Sequence, residues 1–173
     1  YSDLKSCGFE VYGLSRNGPD LFADIRNEAD VTSLIKSTSP DYVINSAALV
    51  SLKACQDDNR KAFEINSYPS CYIAKLADSL CFRYALISTD HYYLGQDNKL
   101  HSELDPITLV NTYAYSKHIG ELYTLAYPNT LVIRTNITGF RQNHTLSPPT
   151  FIEWLINSLS SRNNLSLFSD FFT

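Results

Sequence analysis

Tyr113 and Lys117 stand four residues apart in Tyr113-Ala114-Tyr115-Ser116-Lys117, and Ser88-Thr89-Asp90 precedes them in the chain. On a helix, that spacing puts the phenol and the ammonium one turn apart on one face, whereas Tyr115, two residues before Lys117, points to another side. Tyr113 is therefore the candidate acid/base. A tyrosine holds its proton to a pH of about 10, yet a neighbouring ammonium stabilises the phenolate, and each unit of lowering corresponds to about 1.4 kcal/mol. Such a phenol could exchange a proton with an alcohol or ketone, and Thr89 at a strand end could meet the same oxygen. The spacing alone is also that of an amphipathic helix pair, which a chain with 12 tyrosines supplies often. The rest of the chain must decide between the two.

These residues need a frame that brings a strand end to a helix. Apolar runs alternate with helix-periodic segments, which predicts an α/β chain with a parallel sheet covered on both faces. The segment Ser2 to Ser6 reads as a helix end closed by Gly8, and Glu10 to Leu14 as a strand. After a loop at Asn17-Gly18-Pro19 come a short strand at Leu21 to Ala23, a turn at Asp24, and a helix from Ala29 to Ser37 that Pro40 terminates. Tyr42 to Asn45 reads as a buried strand, Arg60 to Leu80 as one long helix kinked at Pro69, and Tyr84 to Ser88 as the next strand. A loop from His91 to Asn111 leads into the Tyr113 helix, which runs to about Ala126. Leu131 to Arg134 is a strand, Gly139 to Pro149 a loop, Phe151 to Ser160 a helix, and Leu165 to Phe168 a final short strand.

Composition narrows the function classes. With 173 residues, 44% hydrophobic and 18% charged, the chain reads as one domain over 1–173 with a real core. A net charge of -4 and scattered Lys and Arg argue against a nucleic-acid surface. No apolar run reaches bilayer length and the first residues lack signal-peptide order, so the expectation is a cytoplasmic protein without a membrane partner. Cys7, Cys55, Cys71 and Cys81 lack paired spacing and lie in or beside apolar segments, which predicts buried, reduced thiols. The sequons at Asn136, Asn143 and Asn164 would matter only in a secreted protein. The histidines never fall at metal-ligand spacing, so no metal is expected.

Taken in order, Ala23-Asp24-Ile25, Pro40 to Ala48, Ile65-Asn66, Ile87-Ser88-Thr89-Asp90, Tyr113 to Lys117 with Gly120-Glu121, and Arg134-Thr135 span nearly the whole chain. With them the chain resembles the extended short-chain dehydrogenase/reductases, most closely the dTDP-4-dehydrorhamnose reductase group. The resemblance implies a Rossmann-type doubly wound parallel sheet flanked by helices. It implies that Thr89 hydrogen-bonds the substrate oxygen, that Tyr113 delivers the proton, and that Lys117 holds the nicotinamide ribose while lowering the tyrosine's pKa. Asp24 and Ile25 would lie at the adenine, Asn45, Ser46, Ala47 and Ala48 against the cofactor backbone with Asn66 nearby, and Thr135, Asn136 and Ile137 near the nicotinamide. Asp90 and His91 would join Thr89 at the substrate. The activity implied is NADPH-dependent reduction of a 4-keto nucleotide sugar for surface polysaccharide synthesis, by a protein that could be a homodimer. Small residues at 46–48 suit a cofactor that needs close backbone approach.

Cofactor choice rests on Ser15-Arg16. An arginine at the end of that strand accommodates a 2′-phosphate, where an NAD-selective site places a carboxylate. NADPH is preferred over NADH, unless Arg16 is only a solvated loop cation.

The chain also departs from the pattern. The glycine-rich pyrophosphate turn and the strand before it do not occur, and the family's further C-terminal substrate-binding region is cut short, so the expectation is a fragment of an enzyme. After Asp90, where the reductases commonly continue Tyr-Val-Phe-Asp-Gly, this chain has His91-Tyr92-Tyr93-Leu94-Gly95. Dehydratases of nucleotide sugars would carry Glu at the position of His91, which disfavours dehydration, and strand neighbours Ser88, Asp90 and His91 cannot converge as a hydrolase triad. Nucleotide-sugar epimerisation, and a non-catalytic cofactor-binding regulatory subunit of the same fold, are the alternatives.

Overall fold

Short parallel strands joined through helices account for the described residues, 2–18, 20–93, 100–136 and 149–164 of a computed structural model. In chain order they are α1 (Ser2–Ser6), β1 (Leu14–Ser15), β2 (Leu21–Phe22), α2 (Glu28–Thr38), β3 (Tyr42–Asn45), α3 (Leu52–Asp57), α4 (Asn59–Asn66), α5 (Tyr68–Leu80), β4 (Arg83–Ile87), α6 (Thr112–Leu125), β5 (Thr130–Ile133) and α7 (Phe151–Ser160). The strands form two parallel sheets, β1-β2 and β3-β4-β5. Within β3-β4-β5, α3 to α5 between β3 and β4, and α6 between β4 and β5, are the crossovers such pairing demands, whereas no helix stands between β1 and β2 among the described residues.

The register explains which face is packed. Ile44, Ala85 and Leu131 lie side by side across β3, β4 and β5, and so do Asn45, Leu86 and Val132. Strand alternation sends the two rows to opposite faces. Tyr84 and Leu86 are buried in one core with Ile73, Ala74 and Ala77 of α5, and Val43 and Val132 pack against it. On the other face Ile44, Leu131 and Ile133 are exposed.

Several sequence expectations are corrected. The strand expected at Glu10 to Leu14 is only β1, which pairs through Leu14 with Leu21 and Ser15 with Phe22, so residues 10–12 have no ladder to join among the described residues. The long kinked helix is two helices, and α3 was not anticipated. Pro69 has no N–H and its ring clashes with the carbonyl four residues back, so it is confined to a first helical turn. It sits there, in the first turn of α5, while the Ser67 hydroxyl between the two helices donates to the Ser116 carbonyl at 2.6 Å. α3 starts at an Ser51 cap whose hydroxyl accepts from the Ala54 N–H. The thiols are free, but only Cys55 is buried; Cys7, Cys71 and Cys81 are exposed. Cys81 closes α5 in the left-handed region at φ 61, which turns it out of the apolar face. Ile137, the strand at Leu165 to Phe168, residues 94–99 of the loop after His91 and 139–148 of the later loop lie outside the described residues.

Candidate active site

α6 is placed before it is used. Asn111 caps it, its side-chain oxygen accepting from the Ala114 N–H at 2.8 Å. This is the capping chemistry that starts a helix at the next residue. At Gly120 the helix comes so close to α4 that an added Cβ would lie 2.6 Å from the Asn66 carbonyl oxygen. Only a glycine tolerates that approach. Asn66 completes the junction from within: its side chain accepts from the Leu49 N–H at 2.7 Å and donates to the Leu49 carbonyl and to Ser116 Oγ. Two features of the sequence, Gly120 and Asn66, thus fix the helix against the loop that follows β3.

Tyr113 then faces the end of β4. Its phenol lies near the Thr89 hydroxyl, and the Thr89 oxygen accepts from the His91 N–H at 3.2 Å. The His91 ring meets the Tyr113 ring edge-on, with centroids 6.0 Å apart. Tyr115 is 50% exposed. Burial, with smaller contributions from Cys55 and then Asp90, pushes the Tyr113 phenol above its ordinary range, and the neighbouring Thr89 hydroxyl pulls it part of the way back. The expectation that the Lys117 ammonium lowers this phenol is not met in this arrangement. Lys117 is 2% exposed and its Nζ donates to the Ile87 carbonyl at 2.6 Å. Desolvation lowers its pKa to about 8, against the opposing pull of the Glu121 carboxylate.

The remaining candidates fall into two groups. Ser15 and Arg16 end β1 on the surface, and the Ala23 N–H donates to the Ser15 carbonyl, so Asp24 and Ile25 lie beside them. The Asp24 carboxylate is engaged by Arg26 at 2.6 Å, and the Arg26 hydrogen bonds hold its pKa down at about 2, with a smaller contribution from Arg16. The Ile25 carbonyl accepts from the Tyr72 hydroxyl. After β3, Asn45 is buried, donates to the Tyr84 hydroxyl and accepts from the Ala47 N–H, which leaves Ser46 and Ala47 exposed and Ala48 half-buried. Asn66 does not present its amide to a ligand, because Leu49 and Ser116 use it. Thr135 is half-buried and Asn136 exposed.

The sequence reading gave no role to the charged pair behind this site. Glu121, 1% exposed, receives the Arg134 guanidinium at 2.7 Å through Nη2 and 3.1 Å through Nε. Arg134 Nη1 donates to the Tyr93 hydroxyl at 2.8 Å, and the guanidinium lies 5.1 Å from the Tyr92 ring centre. Two signals pointed to the pair. Glu121 stands four residues after Lys117, on the same helix face, and Arg134 follows an apolar strand, where a charge must find a partner.

Comparison with known proteins follows the same outline. A family model described as RmlD substrate binding domain matches residues 1–172. The spore coat polysaccharide biosynthesis protein SpsK of Bacillus subtilis is 29% identical over 169 residues, 96% of this chain and 56% of its own length. The dTDP-4-dehydrorhamnose reductase of Aggregatibacter actinomycetemcomitans is 28% identical over 149 residues, 85% of this chain and 49% of that protein. Among solved structures, a dTDP-4-dehydrorhamnose reductase from Clostridium acetobutylicum superposes with a TM-score of 0.78 at 25% identity, over 92% of this chain and 54% of the other. The Bacillus anthracis reductase in complex with NADP gives a TM-score of 0.69 at 20% identity, over 77% of this chain and 46% of the other. The chain therefore spans about half the length of the curated relatives it matches.

Proposed function

The chain belongs to the RmlD substrate binding domain family, and from that premise we propose that the whole protein reduces a 4-keto nucleotide sugar with NADPH. One observation carries the reading: the Thr89 hydroxyl and the Tyr113 phenol are neighbours at the end of β4, and the buried Lys117 ammonium is fixed two residues before Thr89, at the Ile87 carbonyl.

The donor set of Lys117 fits a nicotinamide dinucleotide. An ammonium has three N–H donors, and Ile87 takes the one hydrogen bond that Lys117 makes among the described residues. A buried charge short of acceptors suits the ribose hydroxyls of the cofactor. Arg16, exposed at the end of β1, is the candidate for the 2′-phosphate, and the small residues Ser46 and Ala47 leave their backbone open to close approach. The relative in complex with NADP supports this choice. When bound, the cofactor supplies hydride to the keto carbon.

The chain's own residues manage the proton. Because its phenol titrates above its ordinary range, Tyr113 holds its proton at Oη throughout the neutral range and is a donor to a developing alkoxide rather than a resident phenolate. The Thr89 oxygen is held by the His91 N–H, and its own hydrogen is a second donor for the same developing oxygen. Lys117, committed to the Ile87 carbonyl, has the part of a ribose anchor rather than of a charge that lowers the phenol.

Assay of the whole protein against a panel of 4-keto nucleotide sugars tests the reading. Stoichiometric NADPH oxidation is expected with at least one of them. Conversion of a nucleotide sugar with no net oxidation would instead identify an epimerase.

A further inference from the structure

The segment that carries Thr89 and His91 is held at both of its ends. At the first, the Ser88 N–H donates to the Ile133 carbonyl at 2.7 Å, and its hydroxyl is 3.1 Å from the Tyr92 hydroxyl. At the second, Tyr92 is fully buried and Tyr93 receives Arg134 Nη1 at 2.8 Å. Arg134 thus touches the segment through two consecutive rings while its other nitrogens grip Glu121 on α6. Glu121 lies two helical turns beyond Tyr113 on the same helix. A single guanidinium therefore spans the distance between the helix that presents the phenol and the segment that presents the threonine.

Stability alone gives little reason for such a pair. A buried ion pair replaced by apolar residues of similar volume is often neutral or better, because desolvation offsets the Coulomb gain. What an apolar pair cannot supply is a fixed planar fork with a donor left over for Tyr93.

We propose that Arg134 is a positioning residue: held by Glu121, it clamps residues 88–93 through Tyr92 and Tyr93, and so sets Thr89 and His91 against Tyr113. The clamp rests on the reductase reading for its effect on turnover. His118 adds to its apolar side, its ring edge-on to Tyr92 at 5.9 Å and its Nδ1 3.6 Å from Glu121, outside hydrogen-bonding range.

Three forms of the whole protein separate clamping from mere stability: wild type, Tyr93→Phe, and the paired Glu121→Leu with Arg134→Met. The paired change restores an uncharged interior, so its thermal midpoint is expected close to wild type, while kcat falls about tenfold or more and the NADPH dissociation constant changes by less than about twofold. Tyr93→Phe keeps Glu121, and hence the surroundings of Lys117, and is expected to lower kcat by about threefold to tenfold. Amide hydrogen exchange across residues 88–93 is expected to quicken about tenfold in the paired variant. Wild-type kcat and wild-type exchange in both variants would overturn the proposal. Should the wild-type protein oxidise no NADPH with any 4-keto nucleotide sugar, the reductase reading fails, and the exchange measurement alone still decides the clamp.

Discussion

Lys117 Nζ donates to the Ile87 carbonyl at 2.6 Å, across 30 residues of sequence. The bond ties the helix of Tyr113 to the last residue of the strand that leads into Thr89. It also commits the ammonium to a backbone oxygen rather than to the phenol, which leaves two different groups to titrate in two different ranges.

The alkaline limb of the pH profile is expected from Lys117. Its pKa is lowered to about 8, while the Tyr113 phenol stays above its ordinary value of 10. Below about 8 the lysine is charged, so kcat/KM for the reductase is expected to fall as the pH rises through that value. A limb found only near 10 or higher would assign the loss to Tyr113 instead.

Stability carries the same signature with a definite sign. The folded protein releases the Lys117 proton near 8 and the unfolded chain near 10.5, so between those values the unfolded state binds the extra proton and stability rises with pH. The contribution is on the order of 3 kcal/mol. Lys117→Met is expected to remove that rise and to be more stable than wild type at neutral pH, read from denaturant midpoints at a series of pH values. Parallel curves for the two proteins would contradict the burial of a charged lysine.

Asn66→Ala and Gly120→Ala probe the junction that places α6. The first leaves the half-buried Leu49 N–H without its acceptor and takes one donor each from the Leu49 carbonyl, which keeps the Cys55 thiol, and from Ser116 Oγ, which keeps the Tyr113 carbonyl, at a cost of about 1–3 kcal/mol. The second drives a methyl into the Asn66 backbone, at a cost of about 1–3 kcal/mol. Chemical denaturation should show both as shifted midpoints with an unchanged slope. Losses under about 0.5 kcal/mol would mean that the helices separate freely.

Arg16→Ala addresses cofactor choice. If the guanidinium meets the 2′-phosphate, NADPH affinity should drop by about tenfold or more with little change for NADH. Equal losses for the two cofactors, measured by fluorescence titration, would reduce Arg16 to a solvated loop cation.

The helices of the site were legible because their signals are local. Four-residue spacing separated Tyr113 from Tyr115, and Phe151 to Ser160 was bounded correctly, its start marked by Thr150 and Glu153, which form a reciprocal capping box. The strands were legible as apolar runs but not in length, since β1 is as short as its single pairing allows. Asn66 was matched to a cofactor site, yet its amide serves Leu49 and Ser116, contacts up to 50 residues apart that no local pattern encodes. The Tyr113 phenol was expected low because spacing shows that a lysine is near. Spacing does not show where the lysine's hydrogens point, nor how much water the fold removes from the phenol. Arg134 was read as a strand end because its partner lies on another element.

The most direct test replaces Tyr113 with Phe in the whole protein, which deletes one hydroxyl and keeps the ring that faces His91. NADPH binding is expected to stay within about twofold of wild type while kcat for the 4-keto nucleotide sugar falls by about a hundredfold to ten-thousandfold. Turnover at the wild-type rate would contradict Tyr113 as the proton donor, and with it the account of this site.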